Sequence, residues 1–530
     1  MKSNPFKLIR VILALLVFLP VLLFFCDFAG IFPDSFSKGM RIQFVPAILS
    51  GSLWIVLSLI VITLLFGRIY CSVICPLGIL QDITAWFTKR GKKKNRKKRW
   101  YHYHKPYAVL RYTLLSICVL FLLFGITTPL LLLDPYSNFG RIAVNLFRPL
   151  VMEGNNLLNW IALKFNNYDF YHVTIYTITG LSLAVSLLAL LTVGILAFLR
   201  GRLFCNTICP VGSFLGLLSK GSVFRIGMND ALCNSCGLCE KACKSQCVNS
   251  KEKKIDASRC VTCFNCLDRC TKKGIGYRFA YTKPEVQLKQ QTGEKQTIKE
   301  MLAKPKQGLS RRSFMLASGA LAATLPFIPA WAKSDKELDV TKLRPITPPG
   351  SKSLAHFKEH CTACHLCITH CPQQILKPAG FNFGLNYAFK PHLVFYEMAF
   401  CNFECTVCSE ICPNGAIERL TTEEKKVTQV GIAQFEKTRC VVFTDNTSCG
   451  ACSEHCPVQA VKMEAYGDTG LTLPHVYEEM CIGCGGCESI CPVRPVKAIN
   501  VLANEIHQTA LKPEEEEIKE IDHEELDFGF

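Results

Sequence analysis

The sequence predicts a multidomain protein: an all-α membrane domain of four helices, then two α+β modules built around cysteine, the second larger than the first. Three observations predict it. Four apolar runs, at residues 8–25, 46–66, 108–133 and 173–199, are long enough to cross a bilayer, which takes ~20 residues. Six tight cysteine runs follow, two before residue 280 and four after residue 360. A short motif is also written twice, as Gly67-Arg68-Ile-Tyr-Cys71-Ser-Val-Ile-Cys75-Pro76-Leu-Gly78 and Gly201-Arg202-Leu-Phe-Cys205-Asn-Thr-Ile-Cys209-Pro210-Val-Gly212.

The first apolar run, behind Lys2, Lys7 and Arg10, has the look of a signal peptide, but three further spans argue for a membrane helix. Residues 89–105 (KRGKKKNRKKRWYHYHK) are densely basic, and such short loops stay in the cytoplasm. The amino terminus is then inside, the loops 26–45 and 134–172 face outside, and the chain returns to the cytoplasm after Leu199. A basic run between two spans is a lipid-facing loop, so the net charge of +18 does not point to nucleic acid. Cys26 and Cys118, alone in or beside spans, read as core packing.

Both copies of the repeat follow an outside-to-inside helix and so sit at one membrane depth. Cysteines at i and i+4 share a helix face, and the proline disfavours helix in the residue before it. Two copies would then present Cys71, Cys75, Cys205 and Cys209 to one point as a shared metal or cluster site. The rival reading is helix ends packed by small residues, with the Gly-Arg pair anchoring at the interface. A disulfide is disfavoured in a reducing compartment.

The six later runs carry the chemistry. The 31 cysteines in 530 residues would suggest disulfides, but disulfide frameworks belong to short chains, and here the spacing decides for metal. C-x2-C-x2-C-x3-C is the bacterial [4Fe–4S] run, whose fourth cysteine serves the other cluster of a pair. Zinc would not call for six such runs. The domains expected are 1–220 (membrane, with the repeats), 221–282 (two-cluster ferredoxin-like module), 283–308 (polar linker), 309–333, 334–505 (four-cluster ferredoxin-like domain) and 506–530 (acidic, solvated tail).

In the first module Cys233, Cys236, Cys239 and Cys243 precede Cys260, Cys263, Cys266 and Cys270, so Cys270 is expected to cross to the first cluster and Cys243 to the second. Cys247 is spare and is an alternative to Cys243. These clusters would be cytoplasmic. Leu309-Ser310-Arg311-Arg312-Ser313-Phe314-Met315, an apolar stretch and Ala330-Trp331-Ala332 then form a twin-arginine export pattern, or else a fifth membrane helix with the same topology.

Everything after it is expected outside. The runs there are Cys361, Cys364, Cys367, Cys371; Cys401, Cys405, Cys408, Cys412; Cys440, Cys449, Cys452, Cys456; and Cys481, Cys484, Cys487, Cys491. Pro372, Pro413, Pro457 and Pro492 should turn the chain away after each run. Gly450, Gly483, Gly485 and Gly486 should let backbone amides approach sulfur. Cys361-x2-Cys364-His365 also matches a haem c attachment signature, but the ferredoxin spacing continues unbroken through Cys371. His365 and His370 are therefore expected on the surface. Chain order leaves the pairing of the four runs open: neighbours, or first with fourth and second with third. No nucleophile motif or phosphate loop supports a hydrolase or kinase.

Residues 1–280 resemble the NapH family of membrane-bound quinol dehydrogenase subunits, in the four helices, the two C-x3-C-P repeats and the two inner cluster runs. Residues 309–500 resemble the NapG family of twin-arginine-exported proteins with four [4Fe–4S] clusters. The chain looks like the two fused end to end. The resemblance implies six [4Fe–4S] clusters, two cytoplasmic and four periplasmic, in a multi-pass protein of the bacterial inner membrane. It implies electron delivery from menaquinol or ubiquinol to a periplasmic reductase or cytochrome, of the nitrate reductase type. The first half is also similar to membrane ferredoxins that serve nitrous oxide reductase or cytochrome oxidase assembly. The alternatives are a maturation factor reducing a partner's metal centre, and a cytoplasm-to-periplasm conduit independent of quinol. Quinol contacts need hydrogen-bonding side chains near the membrane face. Gln43, Asp134, Tyr136 and Arg141 fit, as do residues that merely anchor at an interface.

Overall fold

A computed structural model describes residues 4–33, 36–90, 101–174, 179–280, 344–396 and 398–512. The linker, the twin-arginine segment, the centre of the basic segment and the tail beyond residue 512 lie outside the described residues. The longer helices are α1 (Pro5–Cys26), α2 (Leu53–Phe66), α3 (Pro76–Arg90), α4 (Ala108–Leu123), α5 (Pro135–Ile142), α6 (Arg148–Lys164), α7 (Gly180–Arg200) and α8 (Pro210–Leu218).

Among the described residues two helices, α1 and α7, are long and apolar enough to cross a membrane, with mean hydropathies of 2.9 and 2.5. The other two expected spans are interrupted. The second breaks after Leu49, where Gly51 takes φ +67°, and α2 resumes for 14 residues. At 1.5 Å per residue that is ~21 Å, short of a ~30 Å hydrocarbon layer. The third breaks at Gly125 (φ +70°) and restarts as the short helix Thr128–Leu133, with Pro129 in its first turn. The expected outer loop 134–172 is largely helical: Asp134 caps α5 by accepting from the Ser137 N–H at 2.7 Å, Pro135 opens it, and all of α5 is buried.

α1 ties the two cysteine regions together. Near its start Asn4 N–H and Lys7 Nζ share the Asp268 carboxylate, at 3.2 and 2.7 Å. Near its end Phe24 lies 4.4 Å from the His370 ring, and the Phe25 carbonyl accepts from Thr369 Oγ1 at 3.4 Å. Its 22 residues set these contacts ~33 Å apart. Arg148 Nη2 to the Thr369 carbonyl and Thr127 Oγ1 to the Lys358 carbonyl, each 3.0 Å, further fasten the C-terminal region to the helices.

The repeat is visible in the backbone. Gly67 (φ +76°) ends α2 and Gly201 (φ +71°) ends α7, a conformation open to glycine at a helix end. Pro76 and Pro210 then open α3 and α8. Two expectations fail here. Cys71 and Cys205 sit on short turns, Tyr70–Val73 and Leu203–Thr207, and Cys75 and Cys209 stand beyond them, so no helix face is shared. Proline stops the turn one residue early. Arg68 and Arg202 do not anchor at an interface; both are wholly buried.

Asp82 on α3 gathers the surrounding charge. It receives Arg10 Nη1 at 2.9 Å, Arg202 Nε at 2.8 Å and Lys244 Nζ at 3.2 Å. Burial alone would raise its carboxyl, but Arg202, Lys244 and Arg10 outweigh that and hold it below the usual carboxylate range.

The first cysteine module pairs β1 (Phe224–Met228) antiparallel with β2 (Ile275–Phe279), Gly227 opposite Gly276, over a core of Ile226, Met228, Val248, Phe264 and Ile275. In the second region β3 (Leu376–Pro378) pairs with β4 (Pro391–Leu393), β5 (Thr428–Phe435) with β8 (Ile499–Thr509), and β6 (Val461–Ala465) with β7 (Thr472–Val476), all antiparallel.

Asp82→Asn strands three buried cations and should cost about 3–5 kcal/mol, read as a lower denaturation midpoint in detergent. Because folding lowers this carboxyl's pKa, its stabilisation is present above ordinary carboxylate values and is lost as pH falls through and below them. The variant's unfolding should therefore depend less steeply on pH there than the parent's.

Candidate iron–sulfur sites

The cysteine loops share an unusual backbone. In four runs the residues on both sides of the second cysteine have positive φ: Ser235 (+56°) and Gly237 (+74°), Thr262 (+50°) and Phe264 (+58°), Ala363 (+51°) and His365 (+64°), Gly483 (+71°) and Gly485 (+81°). Alternation of this kind turns successive N–H groups to one side and makes a concavity for an anion, the arrangement found at many iron–sulfur sites. For Thr262, β-branched, it is a genuine outlier. Strain of this sort, roughly 1–2 kcal/mol for each non-glycine residue, points to a ligand that uses it. Short helices begin at the next turn and carry the third cysteine: Leu238–Ala242, Asn265–Arg269, Leu366–His370 and Gly486–Ile490.

The structure brings the fourth cysteine of each run beside its neighbour's first three. Cys239, pushed up to about 11 by burial, lies in the field of Cys236 and Cys270. Cys266 lies in that of Cys263, Cys260 and Cys243. Cys364 and Cys367 feel Cys361 and Cys412, while Cys408 feels Cys401, Cys371 and Cys405. Cys452 feels Cys449, Cys440 and Cys491, and Cys487 feels Cys484, Cys481 and Cys456. A hollow lined by Cys440, Cys449, Cys452 and Cys491 marks one group, and a second hollow holds Cys243, Cys247, Cys260, Cys263 and Cys266. Four thiols around an apolar hollow, with backbone N–H groups turned in, fit a [4Fe–4S] cluster. Such a cluster, when bound, supplies transfer of one electron.

The four later runs therefore pair as neighbours, and their order in space differs from their order in the chain. Cys367 of the first group feels Cys408 of the second. The second meets the fourth, where the Cys401 N–H donates to the Cys484 carbonyl at 2.9 Å. The fourth meets the third through Cys487 and Cys452. The first group is the one pressed on the helices: a Cβ on Gly140 of α5 would collide with the Cys364 carbonyl.

The spare Cys247 stands 3.5 Å from Cys243, sulfur to sulfur. Either sulfur can donate in that contact. Backbone N–H groups of Cys247, Ser245 and Val248 also approach Cys243 and favour its thiolate, the form that binds metal, so Cys243 is the sulfur better suited as the ligand. Cys243→Ser should cost about four irons per chain, whereas Cys247→Ser should cost none, by iron analysis of anaerobically purified protein.

The four thiols of the repeat also gather. Cys75 lies in the field of Cys205 and Cys71, and Cys209 in that of Cys205, Cys75 and Cys71. The arginines cross between copies: Arg68 Nη2 reaches the Cys205 carbonyl at 3.2 Å, and Arg202 Nη1 the Cys71 carbonyl at 2.5 Å. Sequence reasoning missed both, although a Gly-Arg pair in each copy was the available signal.

Asp134, Tyr136 and Arg141 come together on or beside α5, against Cys364. Arg141 Nη2 donates to the Leu131 carbonyl at 2.7 Å and to Asn138 Oδ1 at 3.1 Å, but its Nε and Nη1, and the Tyr136 hydroxyl, have no hydrogen-bond partner among the described residues. Gln43 lies nearer the repeat, where Tyr70 donates to its Oε1 at 2.9 Å. All four are buried.

His365 corrects an expectation. It is buried, its Nε2 2.9 Å from the Phe389 carbonyl, and burial pulls it down to about 3; the ring turns inward against the Phe389 backbone rather than outward. His370 is half-buried against Phe24, because the helix carrying it docks on α1. Lys390, another residue the sequence did not flag, is buried close to Cys361, with Nζ 3.0 Å from Thr127 Oγ1; burial lowers its ammonium to about 8.

A family model described as "4Fe-4S binding domain" matches residues 48–95 and 181–229, and one described as "4Fe-4S dicluster domain" matches 447–495. The chain is 27% identical to the putative electron transport protein YccM of Escherichia coli over 43% of its own length, and spans 55% of that protein. It is 23% identical to the ferredoxin-type protein NapH of the same organism over 40% of its length, and spans 64% of it. Against the ferredoxin-type protein NapG of Escherichia coli it is 30% identical over 191 residues, 34% of this chain. Since that match covers 80% of NapG, the chain belongs to the family of ferredoxin-type iron–sulfur proteins to which NapG belongs.

Proposed function

We propose that the protein carries electrons from quinol in a membrane, through [4Fe–4S] clusters, to an acceptor on the far side. In this reading α1 and α7 span the bacterial inner membrane with the two broken apolar runs packed beside them, the two-cluster module is cytoplasmic and the four-cluster domain is periplasmic, exported by the twin-arginine segment. The chain is then a NapH-like subunit joined to a NapG-like one, with a periplasmic reductase of the nitrate type as its partner.

The observation that carries the proposal is the placement of the cysteine groups at opposite ends of α1, with an apolar core between them that holds both Cys263 and Cys364. Six groups of four cysteines would hold the clusters. Quinol gives up two electrons and two protons, so protein side chains must take the protons. Tyr136 and Arg141, with unpartnered polar atoms against Cys364, would hold a quinol hydroxyl, and the Asp134 carboxylate beside them would receive a proton. In the order found, the first outer group would be filled from this site and the group at Cys440 would face the acceptor.

Tyr136→Phe should slow cluster reduction by a quinol analogue about 10-fold in membranes, the scale of one lost hydrogen bond, and leave reduction by dithionite unchanged. An unchanged quinol rate would remove Tyr136 from the site. A second reading, a conduit from a cytoplasmic donor, is favoured by the continuous core from Cys263 to Cys364. Clusters that fill from reduced ferredoxin but never from quinol would decide for it.

A further inference from the structure

Resting on that electron-transfer reading, we infer that Cys71, Cys75, Cys205 and Cys209 hold a further iron–sulfur cluster, clamped by Arg68 and Arg202, between the inner and outer cysteine groups. Each of the four sulfurs accepts one N–H. Arg68 Nη2 stands 3.7 Å from Cys71 Sγ, Gln81 Nε2 3.1 Å from Cys205 Sγ and the Gly212 amide 3.3 Å from Cys209 Sγ, while the Gly78 amide bonds Cys75. A thiol is a weak acceptor, and a full set of donors suits thiolate. The two glycines are needed for this approach, since a Cβ on Gly78 would strike the Cys71 carbonyl and one on Gly212 the Cys205 carbonyl.

Charge demands an anion here. Arg10, Arg68, Arg111, Arg202, Lys244 and Arg259 are buried or nearly so in one connected network, against the carboxylates of Asp82 and Asp256. Four protonated thiols would leave that surplus uncompensated in an apolar surround, which is costly. Thiolates around an iron–sulfur core carry net negative charge and offset it. Arg68 Nε, Arg202 Nη2 and Gln81 Oε1 are buried without a hydrogen-bond partner among the described residues. Among the described residues no three Cys, His, Asp or Glu side chains converge on a single metal ion, at these four or at the six runs. Ligands of a cluster ring a multi-atom core and stand further apart. Both repeat segments also fall in the matched "4Fe-4S binding domain" stretches.

The position bridges the two ends. Arg202 lies in the field of both Cys205 and Cys263, the latter in the inner module. On the other side Tyr70 lies in the field of Cys75 and of Asp134, and Asp134 in turn acts on Cys364 of the outer domain. Cys71, Cys75 and Cys209 share one apolar core with Cys263 and Cys364. Passage of one electron through the site oxidises the cluster on one side by one and reduces that on the other by one, with no bond made and no proton moved.

The test uses the full chain, purified anaerobically in detergent. The parent should hold about 28 irons and Cys71→Ser/Cys205→Ser about 24, with one EPR signal missing from the reduced variant. In the parent that signal should be split by spin coupling to a reduced neighbour. Gln81→Leu, which keeps every ligand, should retain the iron and lower the midpoint potential of that signal alone, since hydrogen bonds to sulfur raise it. Equal iron in parent and double variant, zinc or copper in place of iron at the site, an uncoupled signal, or no potential shift in Gln81→Leu would each overturn the inference. A parent without iron at all would instead fell the electron-transfer reading on which it rests.

Discussion

The N-terminal half depends on the buried carboxylate of Asp82. Arg202 cannot enter the core as an isolated cation, and its Nε finds Asp82 at 2.8 Å. The same carboxylate receives Arg10 from α1 and Lys244 from the first cysteine module, so one charge fixes α1, the second repeat copy and the module against α3. Distance alone would mislead here. Lys352 and Glu418 are closer, at 2.6 Å, but their side chains are 61% and 45% exposed. Such a surface pair is worth ~0–1 kcal/mol, while breaking a buried one costs several times more.

The two copies of the repeat use this arrangement symmetrically. Each helix ends on a glycine, each arginine crosses to the other copy's cysteine carbonyl, and each second cysteine precedes a proline that opens a new helix. The crossing makes each copy depend on the other, since either arginine alone would leave a cysteine carbonyl of its partner copy without that donor.

The cysteine loops spend stability on backbone shape. Positive φ at Ser235, Thr262, Phe264, Ala363 and His365 is unfavourable in isolation. The fourth run avoids the strain with Gly483 and Gly485, and packing also demands glycine there. A Cβ at 483 would meet the Gly431 backbone and one at 485 the ring of Phe395. At His365 the ring is instead accommodated, bonded to the Phe389 carbonyl. The same backbone is thus reached by different residues according to what lies behind the loop.

The cysteine spacing was legible in the sequence because ligands of one cluster are mostly local: in four of the six runs the first three thiols fall within seven residues. So was the repeat, because it is a literal recurrence of Gly-Arg and C-x3-C-P. Apolar length marked α1 and α7, but it overran at residues 46–66 and 108–133, where Gly51 and Gly125 break the helices inside predominantly apolar runs. Only tertiary structure decided that Arg68, Arg202 and Arg111 are buried, that His365 turns inward, and that the four outer groups lie in the order first, second, fourth, third. Each of these follows from contacts between residues far apart in the chain, such as Cys401 with Cys484 or Arg202 with Asp82. Local pattern carries no record of them, because a buried charge or an inward ring is tolerated only where a distant partner arrives to satisfy it.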